Sequence, residues 1–260
     1  MTSKDSISPV ELLLKKIRIQ RYKEGSPKRI LYEILDEIER TKYYGTRRNW
    51  EIMVELLARW TVLNVDLELS SMGPVKAFEG LQNSYPEIYQ RIEKEDLFQA
   101  YYTAAKQDPW DYLGEIFTET GISSDKMGQV LTPKPVVDFM IEITIPKEVK
   151  EVQTIMDPAL GTGRFLLEAS RLRPKAPLIL FGIEIDLYLY RACLVNMAMF
   201  SNHPYSIICG DTLRLDPEKS GPAGPVWDLG NRWEPPDITP FYWKPISPFQ
   251  AYMKTKQGKE

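Results

Sequence analysis

With 260 residues, 43% of them apolar and 27% charged, the chain can bury the core of one medium domain with an appendage, which excludes disorder as its main state. A formal charge of −3 gives no overall basic field, so any contact with nucleic acid has to come from a local patch. Cys193, Cys209 and the single histidine, His203, assemble neither a zinc site nor a disulfide framework, and the thiols read as core residues of a reduced compartment.

At the start of the chain, Leu12 to Leu14 run straight into Lys15 and Lys16. That run is too short for a signal peptide or a membrane span, so a cytoplasmic location is expected. Ile30, Leu31, Ile34, Leu35 and Ile38 recur at three and four positions after Ser26 and Pro27, an N-cap and first-turn pair, and Gly45 follows; this predicts a helix. Asn49, Trp50, Met53, Leu56, Leu57 and Trp60 predict a second. Residues 1–107 therefore read as a helical N-terminal domain, without internal repeats.

Lys15, Lys16, Arg18, Arg21, Lys23, Lys28 and Arg29 crowd this region, with Arg47 and Arg48 as a smaller cluster. They form either a phosphate-contacting face for DNA or a solvated helix face, because acidic residues are interspersed.

From about Gln153 the texture changes to short apolar runs alternating with amphipathic segments, as in a parallel α/β sheet. Strands are expected at Thr154 to Met156, Leu178 to Ile183 and Tyr205 to Ile208. Helices are expected from Arg164 to Leu172 and from Tyr188 to Phe200. Strand, glycine turn, helix, strand is half of a Rossmann-like fold, with its ligand crevice at the carboxyl ends of the strands. Beyond about residue 217, prolines from Pro217 to Pro248 forbid a long helix or a central strand. The interleaved Trp227, Trp233, Phe241, Tyr242, Trp243 and Phe249 predict a packed tail.

The most informative stretch runs from Met156 to Phe165, MDPALGTGRF. Gly161 and Gly163 bracket a threonine between a strand and a helix, which permits a tight turn and close approach of a ligand to the backbone. Leu166 stands where a dinucleotide fingerprint has its third glycine. Asp157, at the end of the strand, can accept a hydrogen bond from the cationic amino group of a cofactor that bears an amino acid. Glu184, with Asp186 next, is placed to bind ribose hydroxyls, and Asp211 to contact an adenine ring. No metal site is expected.

DPALGTGRFLLEA resembles the cofactor motif of N6-adenine-specific DNA methylases, in particular the modification subunits of type I restriction systems. FGIEIDLYLYRACLVNMAMF resembles the segment that follows that motif. GQVLTPKPVV, from Gly128 to Val137, is similar to the stretch that precedes it, and DYLGEIFTE is similar to a further familial segment. The resemblance implies an α/β, Rossmann-like methyltransferase sheet, shortened here, over 108–260. It implies S-adenosylmethionine as cofactor. Its site would be built from Gln129, Thr132, Pro133, Asp157, Pro158, Ala159, Gly161, Gly163, Phe165, Glu184, Ile185, Asp211 and Thr212. By residue chemistry, Thr132 and Pro133 also read as an N-cap and first-turn pair.

In the resembled family, an Asn or Asp followed by two prolines and an aromatic residue holds a flipped adenine. The corresponding residues here are Glu234, Pro235, Pro236 and Asp237, with Asn231 as a second acceptor. DNA and a specificity subunit are the implied partners. The altered motif leaves two alternatives open: a noncatalytic module that binds cofactor, DNA or a partner chain, and a methyltransferase for protein or small molecules.

Overall fold

The computed structural model describes residues 17, 19–41, 44–65, 84–122, 129–221 and 224–227, leaving aside the side chains of 62 and of 214–227. Helix α1 (Pro27–Thr41) buries the predicted stripe Ile30, Leu31, Ile34, Leu35 and Ile38. Ser26 precedes it, and its carbonyl accepts the first helical bond, from the Ile30 amide at 3.1 Å. Among the described residues its hydroxyl has no hydrogen-bond partner, so the expected side-chain cap is not made. Gly45 does not end α1: it caps the start of α2 (Thr46–Asn64) with φ 93°.

Helix α2 is buried from Asn49 to Ala58 without a break, which marks a central helix rather than an amphipathic surface one. Around it lie α3 (Pro86–Lys94), α4 (Leu97–Gln107) and α5 (Tyr112–Glu119). Trp50 anchors α2 to α5: its indole N–H donates to the Leu113 carbonyl at 3.1 Å, and its ring meets Phe117 edge-on at 4.9 Å. A buried indole needs such an acceptor, because an unmatched N–H loses its hydration uncompensated.

Helix α6 (Lys134–Thr144) leads into β1 (Gln153–Asp157), α7 (Arg164–Leu172), β2 (Leu178–Glu184), α8 (Leu187–Phe200) and β3 (Tyr205–Cys209). The strands form a parallel sheet in the order β1, β2, β3, with Asp157 beside Gly182 and Glu184 beside Cys209. Every expected strand is present, one or two residues longer than the apolar run. In β1 and β2 the added carboxyl-terminal residue, Asp157 or Glu184, lines the crevice.

The expected Thr132 cap is displaced by one residue. Pro133 is the N-cap of α6, and Pro135 lies in its first turn. The Pro133 carbonyl accepts from the amides of Val136 and Val137, whereas the Thr132 carbonyl faces Arg164.

After a 3-10 turn at Thr212–Arg214, β4 (Leu215–Gly221) and β5 (Gly224–Trp227) pair antiparallel as a separate two-stranded sheet. Pro217 and Pro225 are tolerated there, since neither sits in a central strand.

One hydrophobic core runs from Ile30 and Leu31 of α1 through Trp50 and Phe117 to Leu178, Leu180, Tyr205 and Ile207 of the sheet. Met156, Ile179, Phe181 and Ile208 alternate with those sheet residues and lie on the opposite face.

Candidate cofactor cleft

At the carboxyl ends of the strands a cleft of about 510 Å³ opens, within the range of pockets that hold a small organic ligand. Its floor is the bend after β1. Gly161 has φ 58° and Gly163 has φ 88°, a left-handed backbone that disfavours side chains. Packing is tight as well: a Cβ on Gly161 would lie 2.9 Å from Leu131 Cδ2, and one on Gly163 2.6 Å from the Cys193 sulfur, so a side chain at either position would have to displace its neighbour.

Of the residues expected from sequence, Gln129, Thr132, Asp157, Pro158, Ala159, Gly161, Phe165, Glu184, Ile185, Asp211 and Thr212 line this cleft. Gly163 and Pro133 are not among its lining residues. Gly163 lets the bend pass close over α8 at Cys193, and Pro133 serves as the cap of α6. Glu234, Pro235, Pro236 and Asn231 lie outside the described residues.

Glu184 is buried at the end of β2 and braces the bend. Its Oε2 accepts from the Gly161 amide at 2.6 Å, and its Oε1 from the Asp186 amide at 2.8 Å. Burial nevertheless pushes its pKa up. Asp157 ends β1, and its Oδ1 accepts from the Ala159 amide at 3.0 Å. Burial pushes its pKa up too. No ion pair reaches either carboxylate among the described residues, so those residues leave the two acids of the cleft without a cationic partner.

Asp186 is different. It caps α8 by accepting from the Tyr188 and Leu189 amides, takes the Gln129 amide at 3.0 Å and pairs with Arg47 at 2.8 Å. Burial opposes its charge, but these contacts outweigh burial and lower its pKa. Asp211 turns the chain after β3, accepting from the Leu213 amide at 3.0 Å. The Thr212 hydroxyl donates to the Pro158 carbonyl and closes that wall onto the bend.

Several members of the basic clusters, read from sequence as either a phosphate-contacting or a solvated face, are paired with groups of the fold. Arg48 donates to Glu51 at 3.0 Å and to Tyr188 at 2.8 Å. Arg47 pairs with Glu51 as well as Asp186. Lys28 pairs with Glu115 and Glu119, and Arg21 with Glu119. Lys15, Lys16 and Arg18 lie outside the described residues.

Sequence reading missed one polar centre. Asp111, fully buried ahead of α5, accepts from the Gly114 amide at 2.8 Å, from Arg164 Nε at 2.6 Å, from Asn196 Nδ2 at 2.7 Å and from the Thr162 hydroxyl. In sequence it is one aspartate before a helix, and only its place in DYLGEIFTE hinted at more.

A parallel sheet with a glycine bend and acidic strand ends defines an α/β protein with an open cleft at the carboxyl ends of its strands. Residues 108–227 match the family model described as N-6 DNA Methylase. The part of the chain that builds the cleft is therefore similar to the N-6 DNA methylase family.

Two solved structures are similar to the chain. One is a modification subunit assigned to a type I restriction enzyme of Vibrio vulnificus YJ016, 21% identical over 52% of this chain and 29% of that one, with a TM-score of 0.35. The other is the methyltransferase subunit of a type I restriction-modification system from Streptococcus thermophilus, 18% identical over 84% of this chain and 47% of that one, with a TM-score of 0.39. The chain thus spans less than half the length of either subunit. A search of curated proteins finds no match.

Proposed function

We propose that the chain binds S-adenosylmethionine in this cleft and serves as an N6-adenine methyltransferase subunit acting on DNA. In this reading residues 1–107 are the helical part and 108–260 a Rossmann-like methyltransferase part, with the proline- and aromatic-rich tail from about 217. The observation that carries the proposal is the pair Asp157 and Glu184: half-buried or buried, without an ion pair among the described residues, and facing a cleft beside a glycine bend. Leaving two such charges uncompensated is costly, and a ligand that brings a cation and hydroxyl donors relieves the cost.

Asp157 would accept from the ligand's ammonium group and Glu184 from its ribose hydroxyls. Ile185 and Phe165 would give the base an apolar seat, while Asp211 and Thr212 would close its edge. Thr132 and Gln129 line the wall across the cleft. The cofactor supplies the electrophilic methyl. Glu234, with Pro235 and Pro236, would hold the target amino group by accepting its hydrogens, so that position and alignment do most of the work. DNA would meet the basic stretch at 15–23, a specificity subunit is the proposed protein partner, and the proposed location is cytoplasmic. Among the described residues, no helix is long and apolar enough to cross a membrane.

Isothermal titration with S-adenosylmethionine tests the reading, together with transfer of a labelled methyl group to DNA. Absence of saturable binding would overturn it. A second reading is favoured by one observation: Glu234 and Asp237 stand where the resembled motif has Asn or Asp and an aromatic ring. The chain is then a noncatalytic module. Binding without transfer, with Glu234→Ala leaving affinity unchanged, would select it.

A further inference from the structure

We infer that Asp111 is the positioning residue of the cleft, a single carboxylate that holds the glycine bend, α7 and α8 in one fixed relation. The inference rests on the cofactor reading proposed above and deepens it. Asp111 and Thr162 are not among the cleft's lining residues, so Asp111 acts through others.

Three walls meet at this carboxylate. The bend is held through the Thr162 hydroxyl. The first residue of α7 is held through Arg164 Nε at 2.6 Å. Helix α8 is held through Asn196 Nδ2 at 2.7 Å, and the same amide also reaches the Thr162 carbonyl at 2.9 Å. Arg164 extends the link to a fourth segment, donating through Nη1 to the Thr132 carbonyl at 3.0 Å with its guanidinium 5.5 Å from the Trp110 ring centre.

A carboxylate is required here by the count of hydrogens. All the groups around it donate, and an ionised Asp is acceptor-only, whereas an Asn would turn two N–H groups towards other donors. Buried polar networks of this kind specify one arrangement when complete and lose it when one member fails. Because Asp111 stands immediately before α5, which packs on Trp50 of α2 through Phe117, the helical part helps set the geometry of the cleft.

Thr162→Val and Thr162→Ser, with Asp111→Asn beside them in the full chain, separate a positioning role from mere support. Hydrogen exchange of residues 159–164 is read without ligand, and S-adenosylmethionine affinity by calorimetry. Thr162→Val, with unchanged far-UV dichroism, is expected to exchange the bend about tenfold faster and bind about tenfold more weakly. Thr162→Ser, which keeps the hydroxyl, restores both, and Asp111→Asn exceeds both losses. Native exchange and affinity in Thr162→Val would overturn the inference. If Asp111→Asn fails to fold, the Val and Ser pair decides. If the wild-type chain binds no cofactor, the function proposal fails alone. Exchange then still decides: faster exchange in the Val variant supports positioning, and unchanged exchange removes it.

Discussion

At the residue scale, Asp157 and Glu184 pull in opposite directions on stability and on binding. Burial raises both pKa values. Between a carboxyl's unfolded pKa and its raised folded one, the folded chain holds a proton that the unfolded chain has released. The stabilisation is therefore present at low pH and disappears as pH rises through the folded value. Asp157→Asn is accordingly expected to raise the thermal midpoint of the ligand-free protein at neutral pH while weakening S-adenosylmethionine by at least tenfold. A lowered midpoint with unchanged affinity would show that Asp157 only supports the turn. Affinity should also fall as pH is lowered, with an onset higher than for ordinary carboxylates because burial raises both groups, and calorimetry across a pH series checks it. Gly163→Ala places a methyl group against the Cys193 sulfur at a positive φ and should cost about 1–3 kcal/mol in urea unfolding.

At the element scale, α6 has two faces of opposite consequence. Val137 and Ile141 are buried, while Val136, Phe139 and Ile143 are exposed, Ile143 at 65% against 0% for Ile141. Ile141→Ala should cost about 2–5 kcal/mol, whereas Phe139→Lys should stay within about 0.5 kcal/mol; chemical denaturation of the two variants separates them. From sequence the start of this helix was legible only to within a residue. Thr132-Pro133-Lys134-Pro135 offers two prolines suited to a first turn, and Arg164, 32 residues away, decides by claiming the Thr132 carbonyl. Strands β1 to β3 were legible because their apolar runs are short and bounded by turn residues. Helix α2 was legible as a helix but not as the centre of the molecule, because its Glu51 and Glu55 look like a solvent face. They are buried with Arg47, Arg48 and Arg191 as partners.

For the whole molecule, the shared core and the ion pairs joining α2 to α8 couple the helical and α/β parts. Heating should give one transition, with helical dichroism and tryptophan fluorescence coincident; two resolved transitions would show that the parts fold separately. Trp50→Ala removes the anchor between α2 and α5 and should lower stability by about 3–5 kcal/mol with both signals shifted together. Arg47 and Arg48, read from sequence as part of either a phosphate-contacting face or a solvated helix face, are links of this coupling. A basic cluster in sequence does not disclose whether its partners are phosphates or carboxylates folded back from 139 residues away, as Asp186 is from Arg47.

The linear order of residues by itself determined the alternation of strands and helices, the glycine bend and the acidic strand ends, because each depends on neighbours within a few positions. Tertiary structure decided which of those acids keep their charge uncompensated. Among the described residues, Asp157 and Glu184 meet no cation, while Asp186 meets Arg47. It also decided that Asp111 joins residues from Gly114 to Asn196 around one carboxylate. Charge pairing and burial are sums over groups brought near by folding, and no local pattern carries them.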